Sequence, residues 1–263
     1  MIPGKCCICG TVKNCGPFLD KVFKNIETIG KIFDNYKIII SYDHSSDNSL
    51  QILQKYESTH DNLTLHVETE PQTPYRTHNI ARARNKCLDI IRNNFSDYEY
   101  FIMIDCDDVC SQPVKLEYIL YYLTINTEWD SISFNKKPYY DTWALSKYPY
   151  VFSNMHFKNP EGYGTFIEKI IENTPPKTLI PCLSAFNGFA IYRTEKFINY
   201  FYDPTPRLDL FPKHLIENNI RLCGPMYLKD KGAIVDCEHR SFHLMAIKAD
   251  ENVRIRIAPE IIF

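Results

Sequence analysis

The run Tyr100-Phe101-Ile102-Met103-Ile104-Asp105-Cys106-Asp107-Asp108-Val109 is uncharged for its first five residues and then stops on acids. Its first half is rich in β-formers, as in strands buried on both faces of a parallel sheet. Side chains alternate along a strand, so Asp105 and Asp107 share a side if that geometry continues past Ile104. Two carboxylates so placed suit a hard divalent cation, Mn2+ or Mg2+, which takes oxygen ligands and leaves positions for phosphate oxygens. Such an ion neutralises charge that develops on a diphosphate leaving group. The competing reading is an acidic turn that caps the next helix.

From this run toward the N-terminus, strands and helices alternate. Residues 5–12 read as a strand. Phe18, Val22, Phe23, Ile26 and Ile29 then recur at helical spacing, closed by Gly30. Residues 36–42, rich in isoleucine, form a second buried strand, followed by a polar turn at 43–48 and a helix bearing Leu50, Leu53 and Tyr56. Residues 63–67 alternate as a strand, and Ile80, Ala83, Cys87, Leu88 and Ile91 mark a helix over 79–93. This is a doubly wound α/β half, whose natural ligand site lies at the carboxyl ends of the strands. Asp43 and Asp105 both stand at such ends. Beyond residue 110 the pattern loosens. Residues 116–123 read as a helix, and 131–135, 184–192, 232–235 and 253–257 as strands, with loops at 161–164 and 173–177. Nothing resembles a linker or a repeat. The expectation is one α/β domain, with a doubly wound, mostly parallel half at 1–110 and a mixed half at 111–263.

The 263 residues carry 30 Lys and Arg against 32 Asp and Glu, a net charge of −2, without the basic excess of a nucleic-acid binder. A 44% hydrophobic and 24% charged composition is globular. No apolar run approaches the ~20 residues that span a bilayer, and no signal-peptide pattern opens the chain. The expected location is therefore cytoplasmic, the host cytoplasm if the source is a virus. The abundance of Asn, Ile, Lys and Tyr suits an AT-rich viral or bacterial genome. Ten scattered cysteines read as reduced core residues, and Cys6-x-x-Cys9 lacks the second pair that a zinc site needs.

Other candidate residues fall into groups. Arg76 and Arg82-Ala83-Arg84-Asn85 offer guanidinium forks, which suit a diphosphate. Residues i and i+2 do not share a helical face, so one of Arg82 and Arg84 faces the site while the other is solvated. Tyr139-Tyr140-Asp141-Thr142-Trp143 combines aromatic faces for stacking on a sugar with an acceptor for its hydroxyls. Asn187-Gly188 either lets the backbone approach a ligand or makes a turn. Asp236-Cys237-Glu238-His239 and His243 place acids beside imidazoles; either histidine could be a third metal ligand, and Glu238 a general base or a stabiliser of a cationic centre. P-loop, G-x-G-x-x-G and G-x-S-x-G patterns are absent.

The order of these pieces resembles that of GT-A fold glycosyltransferases, which use nucleotide sugars. The resemblance implies a donor site of Gly10, Thr11, Asp43, Arg76, Arg82, Arg84, Asn85, Asp105 and Cys106. It implies a Mn2+ or Mg2+ ion on Asp105 and Asp107 with His239 or His243. The acceptor would meet Tyr140, Trp143, Asn187 and Gly188, and Glu238 or Asp141 would serve catalysis. Residues 139–145, 186–188 and 237–239 are similar to fungal capsule-associated α-1,3-mannosyltransferases, which implies a GDP-mannose donor. The expected function is metal-dependent transfer of a sugar from a UDP- or GDP-sugar to a hydroxyl of a glycan or glycoconjugate. The alternatives are a nucleotidyltransferase that makes an activated sugar, or a catalytically silent glycan-binding module.

Overall fold

The computed structural model describes residues 2–152, 156, 157, 163–227, 229, 230 and 233–263. Its strands are β1 (Ile2–Val12), β2 (Phe33–Tyr42), β3 (Leu63–Val67), β4 (Tyr100–Asp105), β5 (Ser131–Asn135), β6 (Ile180–Cys182), β7 (Phe189–Arg193), β8 (Lys229–Asp230), β9 (Ala233–Ile234) and β10 (Ile255–Ile261). Its α-helices are α1 (Gly16–Gly30), α2 (Ser49–Glu57), α3 (Arg76–Asn94), α4 (Leu116–Thr124), α5 (Tyr163–Glu172), α6 (Thr194–Phe197), α7 (Lys213–Cys223) and α8 (Glu238–Ala249). The chain forms two compact units.

The first unit comprises residues 2–127 with Gly188–Ile198 and Ile262–Phe263. Its strands run in the order β3-β2-β1-β4-β7. The first four are parallel, and β7 is antiparallel to β4. Ile8, Ile38, Ile39, Ile40, Ile102 and Met103 are fully buried, as near-continuous apolar strands of a covered parallel sheet should be. Helix α1 opens on Gly16-Pro17, a proline position that costs no hydrogen bond, and buries Leu19, Val22, Phe23, Ile26 and Ile29. It stops at Gly30, where a side chain would overlap the Tyr36 ring. Helix α3 packs on β1 and β2. It begins at Arg76, three residues before the sequence-based expectation, behind a loop that Asn79 fastens. The Asn79 Oδ1 accepts the Thr73 N–H at 2.9 Å, and its Nδ2 donates to the Thr73 carbonyl at 2.9 Å.

The second unit comprises the described residues of 128–187 and 199–261. Here β5 runs parallel to β10, β6 is antiparallel to β10, and β8–β9 form a separate ribbon. One core cluster gathers Tyr139, Leu145, Ile167, Ala185 and Ile257, another Val151, Phe152, Phe211 and Leu244.

The α/β class and the parallel N-terminal strands are as expected. The strand expected over 184–192 is shortened to Phe189–Arg193. Asn187 (φ 59°) and Gly188 (φ 87°) are both left-handed, which no strand accommodates. Gly164, expected in a loop, lies in the first turn of α5, while residues 161, 162 and 232 fall outside the described residues. All ten cysteines are free thiols, eight of them buried. Cys6 and Cys9 lie three apart on β1 and so face opposite sides of the sheet. Among the described residues, no helix is long and apolar enough to cross a membrane.

Candidate active site

The carboxyl ends of β1, β2 and β4 are level in the first unit: Thr11 pairs with Asp105, and Val12 with Tyr42. A cavity of about 440 Å³ opens there, lined by Thr11, Val12, Lys13, Cys15, Asp43, Thr73, Arg76, Asn79, Asp105, Cys106 and Asp107, among others. This is the place where ligands bind open α/β sheets. Asp43 is 8% exposed. Its Oδ1 accepts the His44 N–H at 2.8 Å, and its Oδ2 stands 3.8 Å from the Lys13 ammonium. Asp47 does not line the cavity; it accepts from Gly16 N at 2.8 Å and from Ser49 N at 3.0 Å, the first residues of α1 and α2.

Asp105 closes β4. Its N–H donates to the Gly188 carbonyl at 2.8 Å, and its Oδ1 accepts from Arg84 Nη2 at 3.0 Å. Arg84 is thus the inward member of the Arg82/Arg84 pair. Arg82 instead meets Glu68 at 3.0 Å and Glu70 at 3.2 Å. Neither arginine nor Asn85 lines the cavity, whereas Arg76 does. Arg76 is exposed, and its guanidinium makes no hydrogen bond or contact ion pair with another described residue.

Asp107 caps a short 3-10 turn, its Oδ1 accepting from Val109 N at 3.1 Å. Burial pushes its carboxyl above the usual range, Asp108 adds to this, and Arg76 opposes it. Cys106 is buried between the two acids, and a Cβ on Gly10 would overlap its thiol. Gly10 therefore serves the site by making room and does not line the cavity. Gly188 supports Asp105 through its carbonyl, and a Cβ there would lie 2.5 Å from Val109 Cγ1. Cys15, held as a thiol with its pKa pushed by burial up to about 12, is inert on the cavity wall. Lys13, Cys15 and Asn79 line the cavity but were not among the candidate site residues. Lys13 alone left a signal, as a cation just past the first strand.

In the second unit, Asn187 is buried and its amide is spent internally. Its Oδ1 accepts from Tyr140 N at 3.0 Å and Asp141 N at 2.9 Å, and its Nδ2 donates to the Phe134 carbonyl at 2.8 Å. It shapes the 140–141 segment. Tyr140 is 45% exposed, Trp143 is half-buried, and Asp141 Oδ1 accepts from Ala144 N at 3.0 Å. Glu238, His239 and His243 are all buried on α8, where the two histidines share a face at i and i+4. Glu238 is the first residue of that helix, a favourable end for a carboxylate. The His239 ring stacks on Phe186 at 3.9 Å. His243 Nδ1 lies 2.9 Å from Ser184 Oγ; burial, aided by Arg240, pushes its pKa down to about 3, so the ring is neutral.

Among the described residues, no three His, Cys, Asp or Glu side chains form a ready metal cage. Mg2+- and Mn2+-type sites do not require one, because one or two carboxylates suffice when phosphates and water supply the rest. The hard oxygen donors of Asp105 and Asp107 fit such an ion, and the raised carboxyl of Asp107 is a group that a cation would relieve.

Residues 7–201 match the family model described as Glycosyl transferase family 2. No curated protein matches the chain. Similar solved structures include S. aureus TarS 1-349 in complex with UDP-GlcNAc, at 16% identity over 98% of this chain and 57% of that one, with a TM-score of 0.47. Another is the mannosyltransferase PcManGT from Pyrobaculum calidifontis in complex with GDP-Man and Mn2+, at 14% identity over 94% and 61%, TM-score 0.44. A third is glucosyl-3-phosphoglycerate synthase from Mycobacterium tuberculosis with Mn2+, UDP and glucosyl-3-phosphoglycerate, at 10% identity over 84% and 67%, TM-score 0.43. The chain spans 57–59% of the TarS 1-349 structures and 36% of the longer TarS structure.

Proposed function

The chain belongs to glycosyl transferase family 2, and from that premise we propose that it is a metal-dependent transferase moving a sugar from a nucleoside diphosphate to a hydroxyl of a glycan or glycoconjugate. One observation supports this reading most: Thr11, Asp43, Arg76, Asp105 and Asp107 surround one cavity at the carboxyl ends of parallel strands. The family membership also speaks against a nucleotidyltransferase. In this reading the single chain forms one GT-A-type enzyme, whose first unit holds the donor and whose second unit holds the acceptor.

Asp43 accepts hydrogen bonds from the nucleoside. Arg76, the guanidinium left uncommitted on the cavity wall, meets the diphosphate bidentately. Asp107 would hold Mn2+ or Mg2+, assisted by Asp105, whose charge Arg84 already balances in part. The ion, when bound, neutralises the leaving diphosphate. Asp141 and Glu238 are the carboxylates assigned to the acceptor side. One takes the proton of the acceptor hydroxyl as its oxygen bonds to the anomeric carbon and the bond from that carbon to the diphosphate oxygen breaks. The similarity of residues 139–145, 186–188 and 237–239 to capsule-associated mannosyltransferases favours GDP-mannose as the donor within this class.

A thermal-shift panel of UDP, GDP, CMP and their sugars, with and without Mn2+, tests the reading. A ligand at 100 times its Kd stabilises by about 2.7 kcal/mol. A metal-dependent shift with one nucleoside diphosphate, lost in Asp107→Asn, supports it. No shift with any of them points to a silent module.

A further inference from the structure

Arg240, on the first turn of α8, is 1% exposed and gives all its directions to the protein. Its Nε donates to Asp236 Oδ2 at 2.8 Å. Its Nη1 donates to the Leu145 carbonyl at 3.1 Å and to Ser146 Oγ, and its Nη2 donates to the Trp143 carbonyl. The guanidinium lies over the Phe152 ring, 5.0 Å from its centroid. Asp236, equally buried, is held from its other side by His156 Nε2 at 3.0 Å and accepts the Cys237 N–H at 2.7 Å. Ser146 continues the anchorage, its N–H donating to the Ser184 carbonyl at 2.9 Å.

These contacts complete a pattern begun by Asn187. The segment 140–146 is fastened at its head through the N–H groups of Tyr140 and Asp141, at its turn through Asp141 and Ala144, and at its tail through three oxygens that face Arg240. Its backbone is clamped while the Tyr140 ring stays accessible. A buried ion pair is a costly source of stability, since apolar residues of equal volume usually serve as well. A guanidinium supplies what they cannot, namely several donors in one rigid plane.

We infer that Arg240 is a positioning residue for the acceptor, holding the carbonyls of Trp143 and Leu145 so that Tyr140, Asp141 and Trp143 present a fixed platform to the incoming hydroxyl. The inference rests on the reading of this segment as the acceptor side of a transferase.

Arg240→Lys keeps a cation beside Asp236 and removes the fork, while Ser146→Ala removes a single contact. Hydrogen exchange on the full chain, without ligand, reads the clamp directly. Amides of residues 144–147 should exchange about tenfold faster in Arg240→Lys, as the loss of charged hydrogen bonds implies, and less so in Ser146→Ala, with residues 101–105 unchanged. Steady-state kinetics then read its purpose, using the sugar nucleotide that gives the metal-dependent shift and p-nitrophenyl glycosides as acceptor probes. The acceptor KM should rise about tenfold while the donor KM and the rate of donor hydrolysis hold. Unchanged exchange in either folded variant overturns the clamp. Faster exchange with an unchanged acceptor KM, or a donor KM that rises in step, overturns its role toward the acceptor. If Arg240→Lys does not fold, Ser146→Ala decides by the same criteria. A wild-type protein that transfers no sugar to any probe fails as a transferase and takes the acceptor role with it, while exchange still decides the clamp.

Discussion

Replacing Gly188 by alanine adds one methyl group where the chain has no room for it. The residue has φ 87°, and the new Cβ would lie 2.5 Å from Val109 Cγ1 and 3.7 Å from Asp105 Oδ2. Two costs combine. A left-handed backbone with a side chain costs about 1–2 kcal/mol. Overpacking against Val109, which is 6% exposed, adds about 1–3 kcal/mol. The backbone cannot simply move aside, because the Gly188 carbonyl accepts from Asp105 N at 2.8 Å and from the Cys110 thiol at 3.3 Å. The expected loss is about 2–5 kcal/mol of folding stability. A shift that relieved the clash would also displace Asp105, so metal-dependent nucleotide affinity should fall in the protein that remains folded. The terms separate in a double-mutant cycle. Val109→Ala removes the overlapping atom, so it should recover the packing part and leave the backbone part, a coupling of about 1–3 kcal/mol. Denaturant titration of the four proteins, with calorimetric titration of the nucleoside diphosphate and Mn2+, provides both readouts. Stability of Gly188→Ala within about 0.5 kcal/mol of wild type, or strict additivity with Val109→Ala, would refute the steric argument.

Three further outcomes are expected. Arg76→Ala should weaken nucleoside-diphosphate binding about tenfold or more, as for loss of a charge-assisted contact, whereas Arg82→Ala should leave it nearly unchanged; equal effects in calorimetry would reject the distinction between them. The raised Asp107 carboxyl is disfavoured as an anion in the fold, so Mn2+ alone should stabilise the protein at pH 7 and progressively less on acidification, as protons reclaim the group above its unperturbed value. A thermal shift by Mn2+ that is the same at pH 7 and pH 4.5 would contradict this. His243, depressed to about 3, leaves the fold without a proton that the unfolded chain binds below about pH 6.5, so stability is full above that pH and falls by about 1.4 kcal/mol per pH unit below it. Denaturation of wild type and His243→Asn at pH 7 and pH 5 should show a loss of stability on acidification that is larger in the wild type by about this slope, His66 and the other shifted groups contributing equally to both.

Part of the site is legible along the chain because local periodicity encodes it. An apolar strand that ends on Asp105-Cys106-Asp107, and another that ends before Asp43, already place carboxylates at one edge of a parallel sheet. Alternation and helical spacing need no partner to be read. The arginines show the limit. Sequence establishes that Arg82 and Arg84 diverge, yet only the positions of Glu68, Glu70 and Asp105 decide that both are occupied, while Arg76 lines the cavity. Along the chain, Asn187-Gly188 reads either as a close backbone approach to a ligand or as a turn. In the fold they support Tyr140 and Asp141 in one case, and Asp105 in the other.

What the sequence determined by itself was the α/β alternation, the parallel character of the early strands and the acids at their carboxyl ends. Each follows from residues within a few positions of one another. What only the tertiary structure decided was which polar groups are consumed by other polar groups. Arg240 meets oxygens that lie 94 to 97 residues away, and Asp236 meets His156 from 80. A buried charge takes its partner from whatever the packed core brings within hydrogen-bond reach, and no local pattern carries that information.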